Sequence, residues 1–107
     1  MKKIRRFFDR EQNLLIHIIA TICVTITGII MHISFNEWLL IYSMIAFVIT
    51  SELVNSSIEL VVDLITDEYH PLAKIAKDVS AGAVLVSAIC ALTVGLYIFI
   101  PKIIYLN

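Results

Sequence analysis

Glycine and cysteine are both scarce in this chain, and their scarcity excludes two common kinds of site. The 107 residues contain only Gly28, Gly82 and Gly95, so neither a G-x-x-x-x-G-K-[ST] loop nor a Gly-rich kinase loop is present. Cys23 and Cys90 both lie in apolar stretches and lack the spacing of a metal site or a disulfide framework. We therefore interpret both cysteines as packing residues, and any phosphate site must be built without the usual glycine cradle.

Charged residues are also few, and this excludes a soluble domain. Only 16% of the residues are charged and 60% are hydrophobic, compared with roughly 45–50% apolar residues in a soluble domain. A soluble chain of this length could not bury so much apolar surface, so lipid must be the solvent for most of it. The net charge of −1 gives no reason to expect a nucleic-acid partner, and we expect none.

Three apolar segments are long enough to cross a membrane as helices. They run from about residue 14 to 33, from about 38 to 65 and from about 81 to 106. About 20 apolar residues suffice to cross roughly 30 Å of hydrocarbon. We predict an all-α membrane protein with three transmembrane helices per protomer, forming a single domain over residues 1–107.

The basic residues lie almost entirely on one side of these spans. Seven of the eight lysines and arginines precede Glu11 or lie in the second connector, residues 66–78, whereas the turn at residues 34–37 has none. By the positive-inside rule, the N-terminus is cytoplasmic and the C-terminus is outside. No signal-peptide cleavage site follows the first apolar run, so we expect a retained anchor. The interleaved basic and apolar side chains of residues 2–10 fit either a short amphipathic segment on anionic headgroups or a simple topology anchor.

Four polar residues interrupt the second apolar segment on one helical face. At about 100° per residue, Asn55, Glu59 and Asp63 all fall within roughly 60° of Glu52. A carboxylate near mid-bilayer costs on the order of 2.5–3.5 kcal/mol, so intramembrane acids are functional candidates by default. Glu52 lies deepest and is the candidate general base or acid. Asp63 is expected near the headgroups, where pairing with a basic residue is as plausible as a functional role.

The predicted cytoplasmic side brings together the groups that phosphoryl transfer needs. Glu11, at the start of the first span, and Glu59 are hard oxygen ligands of the kind that Mg²⁺ takes alongside nucleotide phosphates. Lys77 could neutralise a phosphate, and Asn55 could hydrogen-bond to one. From composition and spacing alone, proton or ion transport fits the acids nearly as well.

Two long stretches of the chain closely resemble the prokaryotic integral-membrane diacylglycerol kinase family: E-L-V-N-S-S-I-E-L-V-V-D at residues 52–63 and D-E-Y-H-P-L-A-K-I-A-K-D-V-S-A-G-A-V-L-V at residues 67–86. The pattern E-x-N-x-x-x-H at residues 11–17 is similar to the Gram-positive branch of that family, the undecaprenol kinases. The resemblance implies a homotrimer with composite active sites where neighbouring protomers meet. It also implies phosphorylation of a lipid alcohol by ATP and Mg²⁺ on the cytoplasmic side of a bacterial cell membrane. The acceptor would be undecaprenol or, alternatively, diacylglycerol, which would yield phosphatidic acid.

The resemblance also implies a role for each matching residue. Glu52 would take the proton of the lipid hydroxyl, and Glu11 and Glu59 would hold the metal ion bound to ATP. The ATP site would comprise Glu11, Asn55, Glu59, Glu68, Tyr69, His70, Lys77 and Asp78. The lipid substrate would be contacted by Asn13, Leu14, Leu15, Ile16, His17, Glu52 and Ala81.

Two other classes of function remain open on the sequence. One is a small proton-coupled or multidrug transporter, which would also place a glutamate in the membrane. The other is a non-catalytic membrane subunit related to the kinases, an idea suggested by the short segment of ten residues before Glu11. Without the resemblance, Lys77 and Asp78 would be interpreted as part of a solvated loop, and His17 as a packed histidine. Gly28 and Gly82 are expected to allow close helix packing.

Overall fold

The computed structural model of the chain describes the backbone of residues 2–106 and the side chains of residues 14–105. Over this range the chain forms three α-helices and no strand: α1 (Lys2–Met31), α2 (Phe35–Ile65) and α3 (Pro71–Leu106). Each helix contains a stretch long and apolar enough to cross a membrane, namely Leu14–Met31, Phe35–Ile65 and Pro71–Tyr105. The predicted all-α fold with three membrane-spanning helices is confirmed. The predicted amphipathic segment forms the first turns of α1, which continues unbroken into the apolar stretch.

The bundle is elongated, and its helices are longer than a bilayer requires. It measures 56 × 24 × 21 Å, whereas the hydrocarbon layer is roughly 30 Å thick. The helix ends therefore extend beyond the hydrocarbon, which allows charged residues to remain helical outside it.

The helix α1 ends in a Schellman motif. The amide of Ile33 donates to the carbonyl of Gly28, and the amide of His32 donates to that of Ile29, each at 3.3 Å. His32 occupies the left-handed position of this motif with a φ of 54°, a conformation that glycine adopts at lower cost. The chain thereby reverses direction within three residues.

The helix α2 begins earlier than the sequence predicted. Residues 34–37 were expected to form a turn, but α2 starts at Phe35, and only Ser34 stays outside the helix, as its N-cap. The Glu37 amide donates to Ser34 Oγ at 3.2 Å, and the Ser34 amide donates to Glu37 Oε1 at 2.8 Å. This reciprocal capping box satisfies two amides that would otherwise be unpaired at the helix end, and so it stabilises the early start.

The helix α3 also begins earlier than predicted, at Pro71 rather than near residue 81. The connector between α2 and α3 covers only residues 66–70, so Lys74, Lys77 and Asp78 are helical and do not lie in a loop. Proline is favoured at the first position of a helix, and the alanine and lysine residues that follow are good helix formers. The charge of this segment suggested a loop, but its local helix propensity decides the structure.

The helix α2 lies between the other two helices and packs against both. At one end of the bundle the core is apolar, with Ile33, Ile41 and Ile98 buried together. Gly28 lies so close to Trp38 that a Cβ at position 28 would be 2.8 Å from Cη2 of the indole, so the predicted close packing at Gly28 is confirmed. By contrast, a Cβ at Gly82 would meet no atom of the described residues within 4 Å, so close packing at Gly82 is not seen among them.

Candidate functional site

The polar stripe of α2 lies against the neighbouring helices, as its spacing predicted. Glu52, Asn55 and Asp63 are only 7%, 6% and 5% exposed, whereas Leu53 and Val54 between them are about half exposed. In a membrane protein this arrangement keeps carboxylates away from lipid and turns apolar side chains towards it. The half of the bundle that contains these residues therefore has a polar interior.

Glu52 faces the imidazole of His17 on α1. His17 Nε2 lies 3.6 Å from Glu52 Oε1, slightly beyond hydrogen-bond distance. The Glu52 side chain is 9% exposed and the His17 side chain 28%. A carboxylate shielded from bulk water is a suitable proton acceptor. The structure thus joins one predicted catalytic residue and one predicted lipid-site residue in a single cluster.

Asn55 links α2 to α3 through a serine for which the sequence predicted no role. Ser80 Oγ lies 2.6 Å from Asn55 Oδ1, and Asn55 Nδ2 donates to Glu59 Oε1 at 3.4 Å. Ser80 itself is only 7% exposed. Ser80 follows Lys77 by three residues, so the two side chains share a face of α3. This shared face indicates that Ser80 belongs to the site, but it can be recognised only when the segment is known to be helical.

Asp63 and Lys77 form an ion pair between α2 and α3. Lys77 Nζ donates to Asp63 Oδ1 at 2.7 Å, and the side chains are 36% and 7% exposed respectively. Pairing with a basic residue is one of the two roles predicted for Asp63, and the structure contains this pair. The neighbouring Asp78 is paired with Lys74 at 2.7 Å on the exposed side of α3, where both side chains are more than half exposed.

The α2–α3 connector and the helix ends beside it enclose an open cavity of about 410 Å³. The cavity is lined by Val62, Asp63, Thr66, Asp67, Glu68, Tyr69, His70, Ala73, Lys74, Lys77 and Asp78. All five predicted nucleotide residues from Glu68 to Asp78 lie in this lining. The predicted nucleotide-binding residues therefore share one pocket, at the end of the bundle to which the polar interior leads.

The predicted lipid-site residues fall into two groups. Leu15 and Ile16 are 56% and 61% exposed and Ala81 is also exposed, so they face the surroundings of the single chain, whereas Leu14 is half-buried. Among these predictions, His17 alone contacts Glu52 within the described side chains. The side chain of Asn13 lies outside the described residues.

Of the two predicted metal ligands, Glu59 is among the described residues, and the side chain of Glu11 lies outside them. Glu59 is half-buried, and its carboxylate accepts a hydrogen bond from a neutral amide. Hard oxygen donors of this kind fit Mg²⁺. Among the side chains of residues 14–105, no three acidic, histidine or cysteine groups are grouped to hold a metal ion.

These features define a class of protein: a multi-pass membrane protein with an acidic site between its helices, leading to a charged pocket at one end. The chain belongs to the prokaryotic diacylglycerol kinase family, a family of lipid kinases, since the family model matches residues 1–99. The predicted resemblance is confirmed. Membership of a kinase family implies phosphoryl transfer from ATP.

Curated relatives agree with this assignment. The chain is 46% identical to undecaprenol kinase of Bacillus subtilis over 93 residues, which cover 87% of this chain and 76% of that protein. It is 36% identical to a diacylglycerol kinase of Synechocystis over 100 residues, covering 92% of this chain and 57% of that protein. It is 39% identical to a diacylglycerol kinase of Helicobacter pylori over 72 residues, covering 67% of this chain and 56% of that protein. The chain thus spans little more than half the length of these two diacylglycerol kinases.

Proposed function

We propose that this chain phosphorylates undecaprenol, taking the γ-phosphoryl group from ATP with Mg²⁺. The observation that carries the proposal is the 46% identity to an undecaprenol kinase over 87% of the chain. Diacylglycerol is the second candidate acceptor, because the Synechocystis relative, at 36% identity, is named a diacylglycerol kinase. Both acceptors present a hydroxyl group at the membrane surface, so one mechanism serves either.

In the proposed mechanism, Glu52 accepts the proton of the lipid hydroxyl as its oxygen attacks the γ-phosphorus of ATP. A bond forms between the lipid oxygen and the γ-phosphorus, the bond to the β,γ-bridging oxygen breaks, and ADP leaves. Support for this role comes from the burial of Glu52 and from the imidazole of His17 beside it. His17 would hold the carboxylate towards α1, where the lipid hydroxyl is expected.

Glu59 and Glu11 are the proposed ligands of the metal ion that accompanies ATP. When bound, Mg²⁺ would neutralise the charge that develops on the phosphate oxygens. The carboxylate of Glu59 is a hard oxygen donor of the kind that suits this ion. Glu11 completes the proposed ligand set from α1.

The cavity beside the α2–α3 connector is the proposed nucleotide pocket. Glu68, Tyr69 and His70 form its exposed connector wall, where a nucleoside would lie. Lys77 and Asp78 lie on the first turns of α3 and would face the phosphates and the sugar. Asn55 lies one helical turn from Glu59, at the inner edge of the same site, where it would hydrogen-bond to a phosphate.

The lipid would approach from the outer side of α1 and α3. Leu15, Ile16 and Ala81 turn towards the surroundings of the chain, which suits contact with an isoprenoid or acyl tail. Asn13 and Leu14 lie one turn nearer the start of α1 than His17, so a tail along this side would bring its hydroxyl towards His17 and Glu52. The preference for one lipid over another would then depend on the shape of the apolar surface formed by α1 and α3.

The proposed orientation places the nucleotide pocket in the cytoplasm of a bacterial cell. The basic residues of 2–10 and of the first turns of α3 would lie on the same side of the membrane, as the positive-inside rule requires. We further propose a homotrimer with composite sites. Support for an oligomer comes from Gly82, where a Cβ would meet no atom of the described residues within 4 Å, which leaves room for a neighbouring helix.

The test is a phosphorylation assay on the purified protein in lipid–detergent micelles. The protein is incubated with γ-labelled ATP and Mg²⁺ and either undecaprenol or diacylglycerol, with Glu52→Gln as a matched control. We expect label in undecaprenyl phosphate with the wild type and none with the variant. Label in phosphatidic acid alone would reassign the acceptor. Labelling of neither lipid, together with ATP-independent solute uptake in proteoliposomes, would instead support a transporter.

A further inference from the structure

Ser80 is buried against the polar interior, and its hydroxyl makes a short contact there. Its Oγ lies 2.6 Å from Oδ1 of Asn55 and 3.0 Å from the carbonyl oxygen of Lys77. A hydroxyl has one proton to donate, and a distance of 2.6 Å lies in the range of a good O–H···O hydrogen bond. Ser80 and Asn55 are 7% and 6% exposed, so water competes little for this bond.

The orientation of the Asn55 amide follows from its two neighbours. Its Nδ2 lies 3.4 Å from Oε1 of Glu59, and its Oδ1 faces Ser80. The opposite orientation would place the amide oxygen against a carboxylate oxygen, and the two would repel each other. The Glu59 carboxylate therefore selects the amide orientation, and the Ser80 hydroxyl donates to the amide oxygen that this orientation presents.

We propose that Ser80 is a positioning residue for divalent-cation binding, acting on Glu59 through Asn55. The proposal rests on the metal-binding role of Glu59 in the proposed function. Groups that hydrogen-bond to a metal ligand fix its direction before the ion arrives, and their loss typically weakens metal affinity or activity by about 10–100-fold. Ser80 holds Asn55, and Asn55 holds one oxygen of the Glu59 carboxylate. The chain thereby orients a ligand on α2 from a hydroxyl on α3.

The test measures cation binding directly as well as turnover. Mn²⁺ is titrated into the purified full-length protein with a non-hydrolysable ATP analogue, and free Mn²⁺ is followed by electron paramagnetic resonance. We expect Ser80→Ala to weaken Mn²⁺ binding about tenfold and to raise the Mg²⁺ concentration for half-maximal kinase activity by about the same factor. Because the ion restores the geometry once bound, kcat at saturating Mg²⁺ should change much less.

Two further variants separate positioning from general stability. Ser80→Thr keeps a hydroxyl at the same place and should restore Mn²⁺ binding to within about threefold of the wild type. Ser87→Ala is the matched control: Ser87 is fully buried on the same helix, but among the described residues its hydroxyl donates within α3, to the carbonyl of Val84 at 2.8 Å. Ser87→Ala should leave Mn²⁺ binding unchanged while removing one buried hydroxyl.

Mn²⁺ binding by Glu59→Gln and by Ser80→Ala distinguishes an error about Ser80 from an error about the metal site. If Glu59→Gln weakens Mn²⁺ binding but Ser80→Ala does not, Ser80 has no positioning role, and the assignment of Glu59 stands. If Glu59→Gln leaves Mn²⁺ binding at the wild-type level, both are wrong. A loss of activity in Ser80→Ala that is equal at every Mg²⁺ concentration and matched by a lower Tm would reduce Ser80 to a structural residue.

Discussion

The ammonium of Lys77 on α3 lies 2.7 Å from the carboxylate of Asp63 on α2, and the carboxylate is almost completely buried. A buried carboxylate that loses a charged hydrogen-bond donor is destabilised, whereas an exposed pair contributes little. The same helix offers the comparison, because Lys74 and Asp78 also lie 2.7 Å apart but are 60% and 65% exposed. The two ion pairs therefore differ in their surroundings rather than in their length.

Removing the cation from the buried pair is expected to destabilise the bundle. Lys77→Met should lower the free energy of unfolding by about 1–3 kcal/mol, since the Asp63 carboxylate would lose a charged hydrogen-bond donor. Lys74→Met, the matched control, should cost at most about 0.5 kcal/mol. Thermal unfolding in detergent, followed by circular dichroism, measures both. Equal effects of the two variants would mean that burial of the Asp63 carboxylate has no energetic consequence.

Neutralising the proposed base should abolish turnover without disturbing the fold. Glu52→Gln keeps the size and hydrogen-bonding capacity of the side chain but cannot accept a proton from the lipid hydroxyl. We expect kcat to fall by at least about 10²-fold with the affinity for MgATP unchanged. Steady-state kinetics and nucleotide binding on the same preparation check this. Glu37→Gln, at the opposite end of α2, is the control and should retain turnover; wild-type kcat in Glu52→Gln would remove Glu52 from the chemistry.

Adding a methyl group at position 28 should separate α1 from α2. Gly28→Ala would place a Cβ 2.8 Å from Cη2 of Trp38 and 3.1 Å from Cδ1 of Ile33, so the neighbouring side chains must move. Overpacking of this kind typically costs about 1–3 kcal/mol. In the double variant Gly28→Ala with Trp38→Phe, the smaller ring of phenylalanine leaves room for the added methyl group. This variant should recover part of the lost stability, as measured by Tm in detergent. If Gly28→Ala is as stable as the wild type, α1 and α2 are not closely packed at Gly28.

Relieving the left-handed residue between α1 and α2 should stabilise the protein. His32 has a φ of 54°, which glycine adopts without contact between Cβ and the backbone. His32→Gly should therefore raise the free energy of unfolding by about 0.5–1 kcal/mol, while His32→Ala, which keeps a Cβ, should give no such gain. Unfolding of the three proteins in the same detergent provides the comparison. A lower stability of His32→Gly would show that the imidazole contributes more than the strain costs.

Several features of the site could be predicted because they depend on positions along one helix. Glu52, Asn55, Glu59 and Asp63 share a face whatever surrounds α2, since helical periodicity alone places them there. The limits of α3 could not be predicted as well, because the high charge of residues 66–78 indicates a loop, whereas Pro71 and the helix formers that follow it begin a helix. This error also concealed Ser80, which is recognisable as a partner of Asn55 only when it belongs to the same helical face as Lys77.

The membrane class, the three helices and the polar stripe of α2 follow from the sequence, because hydrophobic length and helical spacing are local properties of the chain. The contacts between helices become visible in the folded chain alone: His17 with Glu52, Ser80 with Asn55, and Lys77 with Asp63. These pairings depend on the axial register and rotation of one helix against another. Register and rotation result from packing between side chains far apart in the chain, such as Ile41 against Ile98, and no local pattern encodes them.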